Sequence, residues 1–309
     1  MSSPEGSFTH GAAVVGTGRM GSAMAVRLRE AGIAVVVYNR TRSRADQLAS
    51  RCGADVAATA REAAYAAPVV LVSLADDQAA QAAYAGPDGI AAGTGPGVVV
   101  ADTSTLDPLT SVATGDLVRA SGAGHLDSPV SGSVPSVERG ELTILAGGDS
   151  ADLDRARPVL DHLATKVFHL GLAGAGAVMK LAVNSVLEGF NQVLSEALIL
   201  AETAGIDRAA AYEVFGASAI AAPFVGYKKA AFLDPDGTPV AFTLDLVAKD
   251  LDLVLGLARR VGVPMKGAQT TRAAAAEAIA AGWGSRDLSA MAAFLRDGRA
   301  DDGGDRHVG

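Results

Sequence analysis

The chain has little of several features that would assign it to a specialised class. Its 309 residues include one cysteine, Cys52, so neither a disulfide within the chain nor a cluster of thiolate metal ligands can form. The five histidines are scattered, and no two have the close spacing of a metal-binding pair on one helix face. We therefore expect a cytoplasmic protein without a metal.

Long apolar runs are also missing. The longest stretch without a charged side chain is 14 residues, 214–227, and it contains glycine and proline. Such a stretch is too short and too broken to cross a bilayer. The first ten residues lack the basic and apolar regions of a secretory signal, so we expect none. The net charge of −8 disfavours nucleic acid as a partner, because phosphate binding draws on a surplus of lysine and arginine.

What the sequence does contain indicates an α/β domain at the N-terminus. Hydrophobic residues make up 49% of the chain, and short apolar runs alternate with helix-like segments as far as about residue 166. Several runs are continuous rather than alternating, which is typical of strands buried on both faces. This alternation predicts a doubly wound, mostly parallel sheet. Its predicted strands are 12–15, 34–38, 69–73, 98–102, 125–127 and 142–146.

From about residue 171 onward the pattern becomes helical throughout. A long helix is predicted over 174–204, and shorter ones over 208–215, 244–261, 270–281 and 288–295. We therefore predict a nucleotide-binding domain of the Rossmann type over 10–170 and an all-helical domain over 171–296. The polar ends, 1–9 and 297–309, are predicted to be disordered tails.

A glycine-rich run directly follows the first predicted strand and opens a helix: Gly16, Thr17, Gly18, Arg19, Met20 and Gly21. In such a run the first glycine allows a tight turn, the second lets the backbone approach a pyrophosphate, and the third lets helix and strand pack closely. The strand, the helix and the next strand all have the required order. The run therefore predicts dinucleotide binding rather than an incidental glycine-rich turn.

The end of the second predicted strand decides between cofactors, because an acidic residue there holds the ribose of NAD. This chain has Asn39 instead, followed by Arg40, Thr41, Arg42 and Arg44. Three arginines within five residues of an acidic chain suit the 2′-phosphate of NADP. The alternative is a solvated basic turn.

Three polar segments are candidates for chemistry: 102–105, 127–133 and 174–184. In the last of them, Lys180 and Asn184 are four residues apart and share one helix face. The chain has only six lysines, and none precedes Lys166. A lysine among apolar residues is therefore a candidate for proton transfer, which arginine cannot perform.

Over about residues 10–296 the sequence resembles the β-hydroxyacid dehydrogenase family, which includes 3-hydroxyisobutyrate dehydrogenase and the glyoxylate/succinic semialdehyde reductases. The resemblance rests on five motifs, whose fixed residues are Gly16, Gly18, Met20 and Gly21; Asp102, Ser104 and Thr105; Asp127, Pro129, Val130, Ser131 and Gly132; Gly174, Gly176, Lys180 and Asn184; and Lys249, Asp250 and Leu251.

The resemblance also implies roles for individual residues. Lys180 matches the catalytic lysine of the family, and Asn184 matches the polar residue beside it. Ser131 and Gly132 match the turn that binds the substrate carboxylate. Cofactor contacts are implied at Thr105 and Lys249 and expected at Leu74, in addition to the glycine-rich run and residues 39–41.

The sequence thus predicts an NADP-dependent oxidoreductase that interconverts a small carboxylate-bearing aldehyde or keto acid and its hydroxy acid. Lys180 would be the general acid and base. One alternative is an imine reductase of the same fold, which the Asn39-Arg40-Thr41 turn also suits, although such enzymes usually lack the lysine at position 180. Another is a catalytically silent NADP-binding module. The resemblance further implies a homodimer, or a dimer of dimers, joined through the helical domains.

Overall fold

The structure, a computed structural model, describes residues 8–301, with side chains described as far as residue 298. The chain divides into two compact units, and the division falls within one long helix, between Lys180 and Leu181. The first unit contains every β-strand of the described chain, and the second contains only helices.

The first unit is built on a six-stranded parallel sheet with the order β3-β2-β1-β4-β5-β6. This order, with a reversal of direction between β1 and β4, is that of a dinucleotide-binding Rossmann domain. The predicted fold class is therefore confirmed. The strands are β1 (Ala12–Val15), β2 (Val35–Tyr38), β3 (Asp55–Val56), β4 (Val69–Val72), β5 (Val99–Asp102) and β6 (Gly124–Asp127).

Helices cover both faces of this sheet, which explains the continuous apolar runs. In β4, Val69 and Leu71 join the core on one face, whereas Val70 and Val72 join the core on the other. The helices of this unit are α1 (Arg19–Glu30), α2 (Arg42–Cys52), α3 (Ala60–Tyr65), α4 (Asp77–Tyr84), α5 (Ile90–Gly93), α6 (Pro108–Arg119), α7 (Val134–Glu138) and α8 (Ser150–Leu160).

One predicted strand belongs to a different sheet. Leu142–Ala146 is β8, the middle of a separate three-stranded sheet between β7 (Val130–Ser131) and β9 (Ala164–His169), so its prediction as part of the main sheet is wrong. Only Ser128 and Pro129 separate β6 from β7. Because a parallel neighbour of β6 needs a crossover of about a dozen residues, β7 leaves the main sheet. It pairs antiparallel with β8 instead, with Val130 facing Ile144, and β8 therefore lies in the separate sheet.

The second unit contains most of the long helix α9 (Ala175–Thr203), followed by α10 (Arg208–Ala217), α11 (Pro223–Leu233), α12 (Leu244–Val261), α13 (Lys266–Ala280), a 3₁₀ turn (Leu288–Ala290) and α14 (Met291–Asp301). Its core includes Leu198, Tyr212, Phe232 and Leu251. Across residues 8–301 no helix is both long enough and apolar enough to span a membrane. The cytoplasmic location stays a prediction.

The predicted C-terminal tail, 297–309, is wrong for residues 297–301, which continue helix α14. The helix continues because Arg296, at the tail's edge, donates from Nε to Glu202 Oε2 at 3.0 Å, and Leu295 packs against the core. Residues 302–309 lie outside the described chain. So do residues 1–7 of the predicted N-terminal tail, whereas the Thr9 N–H donates to the Ala66 carbonyl at 3.2 Å.

Candidate active site

The glycine-rich run at the start of α1 requires glycine at two of its three glycine positions. Gly16 has φ +98°, and a Cβ there would lie 2.2 Å from the Ser73 carbonyl oxygen. A Cβ on Gly21 would lie 2.0 Å from the Gly16 carbonyl oxygen. The tight turn and the close approach of α1 to the loop therefore both depend on the absence of a side chain.

Gly18 differs, because the protein itself does not require glycine at this position. Its φ of −70° suits any residue, and the structure describes no atom within 4 Å of where its Cβ would be. Gly18 is the N-cap of α1, and among the described residues no side chain caps this end and no acidic residue occupies its first turn. The helix start, with Met20, thus offers open space and a positive dipole end to an anion.

The turn after β2 is joined to this loop by Asn39. The Asn39 Oδ1 accepts a hydrogen bond from the Thr17 N–H at 3.1 Å, and Nδ2 donates to the Thr41 carbonyl at 3.0 Å. Thr41 is the N-cap of α2, where no described side chain provides a capping hydrogen bond. Both polar atoms of the Asn39 carboxamide therefore have a partner within the protein.

The three arginines of this turn are exposed but not equivalent. Arg42 Nε lies 2.9 Å from Asp46 Oδ1, one helical turn along α2. In the part of the chain that the structure describes, Arg40 and Arg44 form no ion pair. Arg40 directly follows Asn39 at the strand end, so it is the best-placed arginine for an anion bound at this edge.

A hydrogen-bonded chain joins the ends of β4 and β5 next to the glycine loop. The Leu74 N–H donates to Ser104 Oγ at 2.9 Å, and the Ser104 N–H donates to Asp102 Oδ1 at 2.9 Å. The Tyr84 hydroxyl completes the chain by donating to Asp102 Oδ2 at 2.8 Å. These contacts fix the two segments that carry Leu74 and Thr105, the predicted cofactor contacts.

Burial is the main cause of the pKa shifts in this hydrogen-bonded group of residues. It raises the pKa of Asp102 above the usual range, and the nearby Asp127 carboxylate adds to the rise. Burial likewise raises the pKa of Tyr84. The Nε2 of His125 lies 3.4 Å from the Tyr84 hydroxyl, and burial lowers the pKa of His125 to about 3. His125 is therefore neutral at physiological pH and acts as a buried polar support.

Asp127, at the end of β6, fixes the start of the helix that carries Lys180. Its Oδ1 accepts from the Gly174 N–H at 2.8 Å and its Oδ2 from the Ala177 N–H at 2.9 Å. A Cβ on Gly176 would lie 2.2 Å from the Leu145 carbonyl oxygen, so the glycine lets α9 begin directly against β8. Burial raises the pKa of Asp127, although the backbone N–H groups oppose the rise.

The predicted carboxylate-binding turn follows β7. Gly132 is exposed and has φ +139°, and a Cβ on it would lie 2.7 Å from Leu142 Cδ2. Ser131 is half-buried, and the Ser133 N–H donates to Ser136 Oγ at 3.3 Å. The turn therefore presents backbone and a serine hydroxyl without a bulky side chain at its centre.

In the second unit a buried aspartate organises two predicted site residues. Asn184 Nδ2 donates to Asp250 Oδ2 at 2.6 Å, and Lys249 Nζ lies 2.7 Å from Asp250 Oδ1. Asn184 and Asp250 are 3% and 1% exposed. Helical spacing along α9 places Lys180 on the same helix face as Asn184.

The first unit thus brings the glycine loop, residues 39–41 and Leu74 to the carboxyl ends of neighbouring strands, where open α/β sheets bind ligands. Ser131, Gly132 and Lys180 belong to the same unit, and Asn184 and Lys249 to the other. The ligand contacts of all these residues stay predictions.

Three aspartates that organise the site were not predicted as site residues: Asp102, Asp127 and Asp250. Each lies inside a motif that the sequence analysis identifies. The available signal was a carboxylate at a strand end, since such a group is suited to accept from the unpaired N–H groups of a turn or a helix start. For Asp250 no such signal exists, because its partner Asn184 is 66 residues away.

The comparisons with known proteins agree with this architecture. Residues 12–171 match the NAD-binding domain of 6-phosphogluconate dehydrogenase, and residues 174–295 match the NAD-binding domain of NADP-dependent 3-hydroxyisobutyrate dehydrogenase. These matches and the Rossmann sheet define an NAD(P)-dependent dehydrogenase or reductase. More narrowly, the chain belongs to the β-hydroxyacid dehydrogenase family, as the motifs predict.

Individual relatives cover nearly the whole chain. Glyoxylate/succinic semialdehyde reductase 1 of Arabidopsis thaliana is 33% identical over 90% of this chain and 95% of its own length. The NAD-dependent L-serine dehydrogenase of Pseudomonas aeruginosa is 31% identical over 94% and 93%.

Comparison with solved structures agrees with this family assignment. The 3-hydroxyisobutyrate dehydrogenase of Mycobacterium tuberculosis, solved with L-serine, has a TM-score of 0.81 at 28% identity and covers 94% of this chain and 100% of its own. An imine reductase from Pseudomonas sp. has a TM-score of 0.64 at 22% identity, covering 92% and 98%, which shows a shared fold alone.

Proposed function

We propose that this chain is an NADP-dependent reductase that interconverts a small carboxylate-bearing aldehyde or keto acid and its hydroxy acid, with Lys180 as general acid and base. The observation that carries the proposal is the double hydrogen bond of Asp127 to the start of α9. It joins the motif that ends at Ser131 and Gly132 to the helix that carries Lys180. Asp127 therefore ties the implied carboxylate-binding turn and the start of the implied catalytic helix together within the first unit.

The residues of the first unit fit a dinucleotide. The open space at Gly18 and the start of α1 suit a pyrophosphate, and Leu74 and Thr105 follow the ends of β4 and β5. Lys249 would contact the cofactor from the helical unit. The cofactor, when bound, supplies a hydride to the substrate carbonyl carbon or accepts one from the alcohol carbon.

The chain itself supplies the proton and the carboxylate contacts. The Lys180 ammonium can donate a proton to the carbonyl oxygen as negative charge develops there, and the neutral amine can take that proton back in the reverse direction. The Ser131 hydroxyl and the Gly132 N–H suit a carboxylate, because both are donors. Asn184, held by Asp250, would orient the substrate oxygen beside Lys180.

The preference for NADP rests on residues 39–41. No carboxylate stands at position 39 to pair with the ribose hydroxyls of NAD, and Arg40 and the start of α2 offer positive charge to a 2′-phosphate. Hydrogen bonds to charged groups contribute about 1.5–3 kcal/mol each, so one such bond favours NADPH by about 10- to 100-fold.

Paired titrations of NADPH and NADH test this preference. Arg40→Ala should weaken NADPH by about 10- to 100-fold and leave NADH nearly unchanged, because only NADPH carries the extra phosphate. Arg51→Ala removes an exposed arginine from the far end of α2 and serves as the matched control. A wild-type preference for NADH, or equal losses of affinity for both cofactors in Arg40→Ala, would show that the basic turn is a solvated surface without a role in cofactor choice.

A substrate panel tests the reaction. Oxidation of NADPH should follow the addition of aldehyde acids such as glyoxylate or succinic semialdehyde, and the reverse reaction should follow the addition of their hydroxy acids. The names of the relatives favour these substrates. Turnover of cyclic imines without turnover of any aldehyde acid would instead support the imine reductase alternative.

We also infer that the chain forms a homodimer or a dimer of dimers through α9. Val186, Val193 and Leu200 are 72%, 55% and 72% exposed and follow one another at seven-residue intervals on one helix face. A second copy is the expected occupant of this apolar stripe. Val193→Glu should yield a 31 kDa monomer in light scattering at micromolar concentration, whereas Leu109→Glu, on exposed α6, should not. A monomeric wild type would contradict the inference.

A further inference from the structure

The Asn39 carboxamide connects two loops that the proposed function assigns to different phosphates of one cofactor. Val15 and Tyr38 pair at the ends of the parallel strands β1 and β2, and the Gly16 N–H donates to the Tyr38 carbonyl at 2.8 Å. Just beyond this pair, Asn39 accepts from Thr17 in the glycine loop and donates to Thr41 at the start of α2. Beyond the backbone pairing of the two strands, the Asn39 side chain therefore links the pyrophosphate loop to the basic turn.

The two partners fix the orientation of the amide. A backbone N–H faces Oδ1 and a backbone carbonyl faces Nδ2, so the oxygen and the nitrogen cannot exchange places without losing both bonds. The Thr17 N–H is consequently occupied by the protein and is not offered to a phosphate. Arg40 stands between the anchored residues Asn39 and Thr41, so its backbone is held at both ends.

We propose that Asn39 is a positioning residue for cofactor choice. It holds the 39–41 turn so that Arg40 and the start of α2 face a 2′-phosphate, and it acts through that turn rather than as the main contact to the cofactor. The proposal rests on the proposed NADP preference, and it differs from the expectation that Asn39 binds the cofactor directly.

An aspartate at position 39 separates the two interpretations. A carboxylate at this position normally holds the ribose hydroxyls of NAD, so a direct contact predicts that Asn39→Asp gains affinity for NADH. In this structure the second carboxylate oxygen would instead face the Thr41 carbonyl at the present distance of 3.0 Å, two acceptors without a proton between them. The positioning role therefore predicts that Asn39→Asp weakens NADPH by about tenfold and does not tighten NADH.

A double-mutant cycle tests whether Asn39 acts through Arg40. We expect Asn39→Ala to weaken NADPH by about tenfold, because a turn without its two anchors must be ordered when the cofactor binds. The double variant Asn39→Ala/Arg40→Ala should bind NADPH within about threefold of Arg40→Ala alone, because a displaced turn has no arginine contact left to lose. Losses that multiply in the double variant would show that Asn39 contributes independently of Arg40.

The experiment measures the dissociation constants of NADPH and NADH for the wild type and these variants, with Gln47→Ala as the control for deleting an exposed carboxamide on α2. The kcat at saturating NADPH should stay within about twofold in the control Gln47→Ala, whose side chain lies outside the 39–41 turn. A gain of NADH affinity in Asn39→Asp, multiplying losses, or an unchanged NADPH constant in Asn39→Ala would each overturn the proposal. A wild type that prefers NADH would instead refute the proposed cofactor preference itself.

Discussion

The two units of the chain build their polar sites in different ways. In residues 8–180 the predicted cofactor site is mainly backbone: a glycine loop, the starts of α1 and α2, and hydrogen bonds between neighbouring strand ends. In the described part of the second unit, several polar side chains are paired over long sequence separations. Asn184 bonds Asp250 and Lys228 bonds Asp287, all four of them buried, and the half-buried Arg296 bonds Glu202.

This difference predicts which amino-acid substitutions each unit can tolerate. A backbone site depends on the space around a few glycines and survives changes to most side chains nearby. A site built from buried charges depends on both members of each pair, because one member left alone is an unpaired charge in a dry interior. Substitutions in the glycine loop and in the buried pairs should therefore differ in their effects on protein stability and on dinucleotide binding.

The largest expected effect on folding is in the second unit. Lys228 Nζ lies 2.7 and 2.8 Å from the two Asp287 oxygens, which also accept from Ala241, Phe242 and Ser289. Burial alone would raise the pKa of Asp287, but Lys228 and these donors bring it below the usual value. Lys228→Met should lower the free energy of unfolding by about 3–5 kcal/mol, because the aspartate loses its buried partner.

The neighbouring residue provides the control for this prediction. Lys229 pairs with Glu213 at the surface, where the two side chains are 43% and 67% exposed. Lys229→Met should change the free energy of unfolding by less than about 1 kcal/mol. Chemical denaturation of both variants measures the difference, and equal losses would show that burial does not distinguish the two pairs.

A smaller effect is expected in the glycine loop, where stability and binding should separate. Gly21→Ala should destabilise the first unit by about 1–3 kcal/mol, because its Cβ would lie 2.0 Å from the Gly16 carbonyl oxygen. Gly18→Ala should leave stability nearly unchanged, yet weaken the dinucleotide, because the new methyl group enters the space kept open for phosphate. Thermal unfolding and NADPH titration measure the two effects. Loss of stability in Gly18→Ala would contradict this division.

The effect that is smallest at neutral pH concerns the pH dependence of stability. The pKa of His125 is about 3 in the folded chain, whereas an unfolded histidine takes up a proton near pH 6.5. Between these values the unfolded state binds more protons, so the free energy of unfolding falls as the pH drops, by at most about 1.4 kcal/mol per pH unit. Asp102 and Asp127 oppose this trend, since burial raises the pKa of each carboxyl and stabilises its protonated form.

His125→Gln removes the histidine contribution and should flatten the fall in stability between pH 6.5 and pH 4. Denaturation curves at several pH values compare the variant with the wild type. His169→Gln is the control, since His169 is less buried and bonds the Gly148 carbonyl. Identical pH slopes in His125→Gln and the wild type would mean that the buried imidazole does not govern acid sensitivity.

The same contrast explains how much could be predicted from the sequence. Strands such as Ala12–Val15 and the glycine loop are local patterns, so their positions followed from periodicity and from the chemistry of phosphate binding. The separate sheet around Leu142–Ala146 could not be predicted, because one short apolar run looks alike in either sheet. Helix α11 was also missed, since it contains a glycine and two lysines and shows no clear apolar period.

The buried pairs could not be predicted for a different reason. Lys228 and Asp287 are 59 residues apart, and no spacing rule connects them. The scarcity of lysine indicated that each lysine had a specific role, but it could not distinguish a buried structural lysine from a proton donor. Only the sequence motif around Lys180 distinguished it from Lys228 as the candidate proton donor.

The central claim, that Lys180 supplies the proton in a hydride-transfer reaction, is tested most directly by measuring NADPH oxidation with the best aldehyde acid for three proteins. Lys180→Ala should lose at least about 100-fold in kcat, the usual scale of general acid catalysis. Lys180→Arg should lose nearly as much, because arginine cannot release its proton. The dissociation constant of NADPH should stay within about threefold in both variants. Near-normal turnover by either variant would contradict the assignment of Lys180.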